Sequence, residues 1–298
     1  MGRKLVLTGT KLSDLATPKL VTYDTMESAG GLWLVEPMHP YQNWAAGVPA
    51  SGSTVPNIFA SSAAALIGSA NTDIDVTTAG LTGTQGKLER SGKGGLHAIY
   101  SNTHATNIAT SASAYVRLRP KTEMKQYILT NWGHEFFLST WVYTTRPAPA
   151  SQQLNVISQI ARQTSATSNY KMLIGQIGAS ATGGYSGLRS NSMITGGAGP
   201  RINNLSRLTY SATPPGSTTD MDVDAFTVGN AGVINSYSSA KQGVGSQILY
   251  RSFLEDMTVS GRTYAQLDAL DLAEYNRQVL TAGGRYYGDT FTDPTTIP

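Results

Sequence analysis

The chain has 298 residues, of which only 14% are charged, and it contains no cysteine. The lack of cysteine excludes disulfides, thiolate metal sites and cysteine nucleophiles. A composition rich in Gly, Ser, Thr and Ala disfavours a helical bundle. The net charge is +3 and the basic residues are scattered, so we expect no nucleic-acid binding, because phosphate affinity needs clustered positive charge.

The N-terminus predicts neither secretion nor membrane insertion. Arg3 and Lys4 precede only three apolar residues, too few for a signal peptide. No stretch approaches the ~18 uninterrupted apolar residues of a membrane span. We therefore expect synthesis in the cytoplasm of the producing cell, with no signal peptide and no membrane insertion.

The first segment, residues 1–44, carries unusually many large side chains, among them Trp33, Tyr41 and Trp44. Two interpretations remain open for it. It is either the first hairpin of the main core, or an extended arm that packs on a neighbouring subunit, with those three aromatic residues as the attachment points. Residues 45–84 turn to small side chains, which indicates loops and a short helical turn.

The middle of the chain contains several strand patterns separated by turn residues. Each is rich in β-branched or aromatic side chains, and their spacing favours a sandwich of antiparallel strands. The glycine-rich stretch 178–199 reads as a surface loop between two of them. The predicted strands cover residues 111–118, 136–143, 154–161, 170–177 and 220–228.

The end of the chain gives the clearest local pattern. Residues 247–253 alternate in a way that predicts a final strand with one buried face, and Glu255-Asp256 then reads as outward polarity at its end. Ser260-Gly261 breaks the strand. Thr263 followed by Gln266 has the spacing of a capping box, so we expect a helix, with Leu267, Leu270 and Tyr275 as its apolar stripe.

Two of these segments resemble the concanavalin A-like, laminin-G-type jelly-roll family. Phe137–Tyr143 is similar to the family's central strand, in which an aromatic residue precedes a buried Trp-Val pair. Tyr250–Leu270 resembles its last strand, turn and closing helix. The resemblance covers roughly residues 95–280 and implies an all-β, antiparallel jelly-roll sandwich.

That resemblance implies a division of the chain. The sandwich would span residues 91–282. Residues 1–90 would be an N-terminal attachment segment with loops, or part of the same core. Residues 283–298 would form an irregular tail after the short C-terminal helix.

The chain is rich in small residues, begins with an arm-like segment and ends in an irregular tail. In these features it is similar to tailed-bacteriophage virion proteins that carry laminin-G-like domains. This implies a non-enzymatic structural component of the virion. We expect the protein on the tail, as a fibre, baseplate or tip component. There it would contact host glycans, other virion proteins and copies of itself. Two alternatives remain: a capsid decoration or cement protein, and a polysaccharide-degrading enzyme, since one fold hosts many functions.

A hydrolase of this kind needs two carboxylates across a sugar-binding cleft. The resemblance places them as Glu-x-Asp-x-Glu or Glu-x-Asp-x-x-Glu on one strand. The nearest match is Asp220-Met-Asp222-Val-Asp224, which has the spacing but no glutamate. Side chains alternate along a strand, so the three aspartates share one face. We expect that face to be solvated, with a structural Ca²⁺ site as the alternative; no other cofactor is expected.

The remaining candidate residues are tyrosines, of which there are 15 against 6 phenylalanines. Tyr185 lies in the glycine-rich stretch, and Tyr286 and Tyr287 follow a second pair of glycines. An exposed tyrosine provides a large contact area at a low entropy cost. We therefore predict that these three tyrosines form a recognition surface.

Overall fold

The computed structural model describes residues 24–81, 83, 86–100, 115–147, 155–162, 170–176, 193–194, 197–207, 214–229 and 244–297. Strands account for 40% of the structure and helices for 22%, which confirms the prediction of an all-β sandwich. Within these ranges the strand pairs are antiparallel, except that the two-residue β10 runs parallel to β9. None of the helices in the described ranges is long and apolar enough to cross a membrane.

In the described residues the elements follow one another mostly as strands, with four α-helices, two 3-10 helices (Thr218–Asp220 and Pro294–Thr296) and one π-helix (Asn276–Leu280). The strands are β1 (Gly31–Val35), β2 (Thr54–Val55), β3 (Ile74–Ala79), β4 (Gly86–Arg90), β5 (Leu96–Tyr100), β6 (Tyr115–Pro120), β7 (Phe136–Arg146), β8 (Asn155–Arg162), β9 (Tyr170–Gln176), β10 (Met193–Ile194), β11 (Gly199–Arg207), β12 (Met221–Asp224), β13 (Phe226–Gly229) and β14 (Ser246–Asp256). The helices are α1 (Ala60–Ile67), α2 (Thr122–Thr130), α3 (Met257–Ser260) and α4 (Tyr264–Tyr275).

The sandwich has two layers. One is a six-stranded sheet in the order β11-β7-β14-β5-β4, in which β1 pairs with the part of β14 that β5 leaves uncovered. The other consists of two four-stranded sheets, β10-β9-β8-β12 and β13-β6-β3-β2, which meet where the chain passes from β12 to β13. Buried side chains from all three sheets, such as Leu249, Leu118 and Ile160, form the main core between the layers.

The N-terminal part of the described chain belongs to these same sheets. β1 pairs with β14 and β3 pairs with β6, and the predicted boundary after residue 90 falls inside the β4–β5 hairpin. Trp33 is fully buried in the main core, and its indole Nε1 donates to Ser252 Oγ at 3.1 Å. Trp44 is buried as well. The prediction that both tryptophans attach the chain to a neighbour is therefore corrected, because they fill this chain's own core.

A register shift divides β14 between Leu249 and Arg251, with Tyr250 as the extra residue. Such a bulge reverses the alternation of side chains. Ile248 before it and Phe253 after it consequently lie on the outer face of the sheet, away from the main core. All eleven residues of β14 are buried, so the prediction of a single buried face was wrong: helices and the C-terminal segment cover the outer face too.

The capped helix predicted after β14 is present as α4. Thr263 Oγ1 accepts from the N–H of Gln266, and the Gln266 side chain accepts from the N–H of Thr263. Leu267 and Tyr275 are buried against the sheet, but Leu270, the third member of the predicted stripe, is 38% exposed. Gly261 ends α3 with a positive φ of 70°, as expected for the break before the helix.

Glu255 and Asp256 do not provide outward polarity, which corrects the prediction. Both are fully buried. Glu255 forms an ion pair with Arg262, whose Nε donates at 2.9 Å. Asp256 accepts from the N–H of Val259 and from the Tyr127 hydroxyl at 2.8 Å, so it caps α3 and joins it to α2.

Candidate functional site

A group of charged side chains is buried on the outer face of the six-stranded sheet. At its centre Arg251 donates from Nη2 to Asp24 Oδ1 at 2.7 Å, and from Nη1 to Asp24 Oδ2 at 3.0 Å and to Glu36 Oε2 at 3.1 Å. Arg285 forms a second ion pair with Glu36, and His39 Nε2 lies 3.2 Å from Asp24 Oδ2. We call this group the Arg251 cluster; its members are Asp24, Glu36, His39, Arg251, Arg285 and Tyr286.

The ionisation of the Arg251 cluster follows from its pairing. Burial alone would raise the pKa of Asp24, but the Arg251 charge and hydrogen bonds from His39 and Arg251 hold it well below its usual range. Burial likewise opposes the charge on Arg251, and Asp24 more than compensates, which raises the pKa of the guanidinium. Two carboxylates and two guanidinium groups thus balance one another.

Asp24, Glu36 and His39 also place three possible metal-ligand atoms within 4.8 Å of one another. Sequence reasoning missed this group, because the three residues match no metal motif. A cation there would have to displace Arg251 and Arg285, which already neutralise both carboxylates. The geometry therefore favours a structural ion-pair cluster over a metal centre.

The Arg251 cluster continues into a buried acid under α4. The Arg251 guanidinium carbon lies 4.7 Å from the ring centroid of Trp141, a cation–π contact. Trp141 Nε1 donates to Asp271 Oδ1 at 2.9 Å, and the Ser139 hydroxyl donates to the other oxygen. Burial outweighs these hydrogen bonds and raises the pKa of Asp271 to about 6.

A surface cleft opens beside Asp24. It has a volume of about 60 Å³, well below the roughly 300–1,000 Å³ of enclosed small-molecule pockets. Tyr41 is 54% exposed at its rim, and burial together with the Asp24 charge raises the pKa of Glu27. We call it the Asp24 cleft; its lining is Asp24, Glu27, Tyr41, Gln42, Ile58, Ala60 and Ser61.

Two carboxylates at one cleft invite comparison with glycoside hydrolysis, which needs an acid and a nucleophile or base. Glu27 has the raised pKa of an acid. Asp24, however, already accepts from Arg251 with both oxygens, and a nucleophile or base needs an available oxygen. The rim instead offers a ring, an amide, a carboxylate and a hydroxyl, which suit the binding of a hydroxyl-rich ligand.

The structure places the three candidate aspartates in two different environments. Asp222 and Asp224 do share one face of β12, as the spacing predicts, because Arg117 Nη2 contacts Asp222 Oδ1 at 2.6 Å and Asp224 Oδ2 at 2.8 Å. Both are fully buried, so the expectation of a solvated face was wrong. The Ca²⁺ interpretation is corrected as well, since guanidinium groups of Arg117 and Arg119 bind these carboxylates. Asp220 lies in an exposed turn before the strand.

The predicted tyrosine surface is also divided. Tyr286 is 1% exposed and stacks on Tyr250 with ring centroids 4.3 Å apart, so its assignment to a recognition surface is corrected. Tyr287 is 45% exposed. Tyr185 lies outside the described residues. Tyr41, predicted as an attachment residue, is the most exposed aromatic side chain described.

Comparisons with known proteins assign no family. No protein-family model and no curated protein matches the chain. Among solved structures it is similar to a Trypanosoma rangeli sialidase in complex with 2-keto-3-deoxy-D-glycero-D-galacto-2,3-difluoro-nononic acid, at 11% identity and a TM-score of 0.32. The match covers 77% of this chain but spans only 31% of the sialidase, and a likeness at this level carries no statement about activity.

The raised pKa of Asp271 predicts a pH-dependent stability. The folded chain holds this proton more tightly than the unfolded chain, so the contribution is complete below about pH 4 and is lost as the pH rises to about 6. Relative to Asp271→Asn, which does not titrate, the free energy of unfolding should fall by roughly 3 kcal/mol between pH 4 and pH 7. Urea denaturation of both proteins across this range measures the difference. A difference that stays constant with pH would contradict the assignment.

Proposed function

We propose that the chain is a non-enzymatic structural component of a tailed-bacteriophage virion, carried on the tail, where it contacts host-surface glycans through the Asp24 cleft. Phe137–Tyr143 and Tyr250–Leu270 resemble laminin-G-type domains, and the small-residue-rich composition and irregular tail of the chain resemble virion proteins that carry such domains. These two resemblances support the setting. The observation that carries the glycan contact is the rim of the cleft, where the exposed ring of Tyr41 stands beside polar side chains.

The chemistry of the rim fits one face of a sugar. A tyrosine ring is an apolar platform with a polar tip. The Gln42 amide both donates and accepts hydrogen bonds, while the Glu27 carboxylate accepts and the Ser61 hydroxyl does either. A shallow cleft of about 60 Å³ accepts part of a ring at the end or edge of a polymer.

Ion pairs and hydrogen bonds make the base of the cleft rigid, and a binding site requires such rigidity. Asp24 is fixed by Arg251 from below, and Ile58 by a hydrogen bond from its N–H to Leu34 O at 2.9 Å.

The C-terminal segment is bound to the same sheet, since the Gly92 N–H donates to Thr290 O at 2.7 Å. A module exposed on a particle benefits from such fastening, because locally unfolded segments are the ones proteases cut.

The capsid decoration or cement function remains the second candidate, and α4 favours it. The outward side of this helix presents Ala265, Ala269, Leu272 and Ala273 to solvent, one or two per turn and without a charge between them. A neutral apolar stripe packs on a copy of itself around a two-fold axis without burying a charge. The partner of this stripe would be a second copy of the chain.

The glycan contact predicts a selective loss on mutation. Tyr41→Ala should weaken binding to the glycans recognised on an array by at least roughly tenfold, about 1.4 kcal/mol, because the stacking platform is gone. The melting temperature should not change, since Tyr41 is mostly exposed. Tyr287→Ala, which removes another exposed tyrosine, is the matched control and should bind normally.

Two results would oppose this proposal. Equal binding by Tyr41→Ala and the unmodified chain would exclude the cleft. Hydrolysis of any polysaccharide by the purified chain would replace the structural function with an enzymatic one.

Self-association predicts a difference between two leucines on α4. Leu272→Gln should convert oligomers to monomers in light scattering, because it places an amide in the apolar stripe. Leu270→Gln alters a similarly exposed leucine, 38% against 44%, on another side of the helix and should leave the mass unchanged. A monomeric unmodified chain, or equal behaviour of the two variants, would count against contact through α4.

A further inference from the structure

Glu27 is a half-buried acid in the lining of the Asp24 cleft. Its carboxylate makes no hydrogen bond and no ion pair with any residue in the described part of the chain. Asp24, the other acid of the cleft, is paired with Arg251. None of the described residues that line the cleft is basic. The negative charge of Glu27 is therefore available to a ligand.

The turn that carries Glu27 is fixed from two sides. The Glu27 N–H donates to Asp24 O at 3.0 Å, and the Met26 N–H donates to Asp24 Oδ1 at 2.8 Å. Arg262 Nη2 donates to Met26 O at 2.6 Å. Arg251 in turn binds the Asp24 carboxylate. The backbone that presents Glu27 is thus ordered before any ligand arrives, which reduces the entropy cost of binding.

Tyr41 is connected to the same turn through His39. The Tyr41 N–H donates to His39 Nδ1 at 3.2 Å, and His39 Nε2 lies 3.2 Å from Asp24 Oδ2. Because Nδ1 accepts a hydrogen bond it carries no proton, and Nε2 is the nitrogen that donates to Asp24. His39 is therefore neutral in this arrangement and does not offset the charge of Glu27.

The other ionised groups around the cleft cancel one another. The Arg251 cluster contains two carboxylates and two guanidinium groups. Arg262, which holds the turn, forms an ion pair with Glu255. Glu27 is left as the uncompensated charge, and burial together with the Asp24 charge raises its pKa. The part that Asp24 plays in this shift shows a negative potential at the cleft, and such a potential favours a cation.

An ammonium group matches two features of the rim. A carboxylate forms charge-assisted hydrogen bonds with it, and a tyrosine ring attracts a cation that lies within about 6 Å of its centre. Glu27 and the exposed ring of Tyr41 line the same cleft. The Gln42 amide and the Ser61 hydroxyl can bond hydroxyl groups next to the amine. An acidic sugar, in contrast, would be repelled by the Glu27 carboxylate.

We propose that the Asp24 cleft selects an amino sugar, a ring that carries a free, protonated amine, and that Glu27 determines this specificity. The inference rests on the glycan contact proposed above and names the class of ligand. A lysine side chain of a host protein carries the same ammonium group. The hydroxyl-binding side chains of the rim favour the sugar over the lysine.

The test is calorimetry of the whole chain with three oligosaccharides of equal length and the same β-1,4 linkage, built from glucosamine, N-acetylglucosamine or glucose. They differ only in the group on the second carbon, which is an amine, an amide or a hydroxyl. At a mildly acidic pH that keeps the amine protonated, we expect the glucosamine oligomer to bind at least roughly tenfold more tightly than the two neutral ones. Added salt should reduce this preference, because it screens the charge pair.

Matched variants identify the residue responsible. Glu27→Gln keeps the size of the side chain and removes its charge, so the preference for glucosamine should disappear. Glu123→Gln is the control, since Glu123 is also half-buried but lies on α2, outside the cleft. This variant should keep the preference. The melting temperatures of both variants show whether each is folded.

Several results would overturn the inference. They are equal binding of the three oligomers, binding of none of them, and a preference that survives Glu27→Gln. If glycans of the array still bind through Tyr41 in such a case, the glycan contact stands and only the selection of an amine fails. If no glycan binds at all, both proposals fail. A trilysine peptide that binds as tightly as the glucosamine oligomer would overturn the assignment to a sugar.

Discussion

The burial of one guanidinium group, that of Arg251 in the central strand β14, constrains the whole outer face of the six-stranded sheet. A buried charge costs several kcal/mol unless it is paired and hydrogen-bonded. Here the partners come from both ends of the described chain: Asp24 lies before β1 and Glu36 directly after it, while Arg285 in the C-terminal segment completes the pairing. The bulge at Tyr250 turns Arg251 towards these partners. The N- and C-terminal segments are thus fixed to the sheet by one electrostatic requirement.

The pairing of the buried Arg251 guanidinium also determines which groups are available at the surface. Because Arg251 engages Asp24 with two nitrogens, the floor of the Asp24 cleft is rigid and its carboxylate is occupied. Only the rim around Tyr41 is left for the proposed glycan contact. The second layer contains a comparable arginine group around Arg117, whose guanidinium pairs with Asp222 and Asp224. Buried guanidinium groups in both layers are thus paired with carboxylates of the chain itself.

Local patterns were readable from the sequence and long-range pairings were not. The capping box at Thr263, the final strand and the shared face of Asp222 and Asp224 follow from short-range spacing. The contact between Asp24 and Arg251 joins residues 227 positions apart, which no pattern indicates. The burial of Tyr286, Glu255 and Asp256 was missed for a related reason. The alternation of side chains along a strand assigns each residue to one face of the sheet. It does not show that other elements cover the outer face of the six-stranded sheet.

The proposed function in a phage tail is tested most directly by asking whether, and where, phage particles carry the protein. Electron microscopy of phage particles labelled with a Fab against the folded chain gives that position. We expect label on the tail, at its outer surface, and competition between the Fab and host glycans when the Fab is directed at the Tyr41 face. Particles that carry no label, or label confined to the capsid, would contradict it.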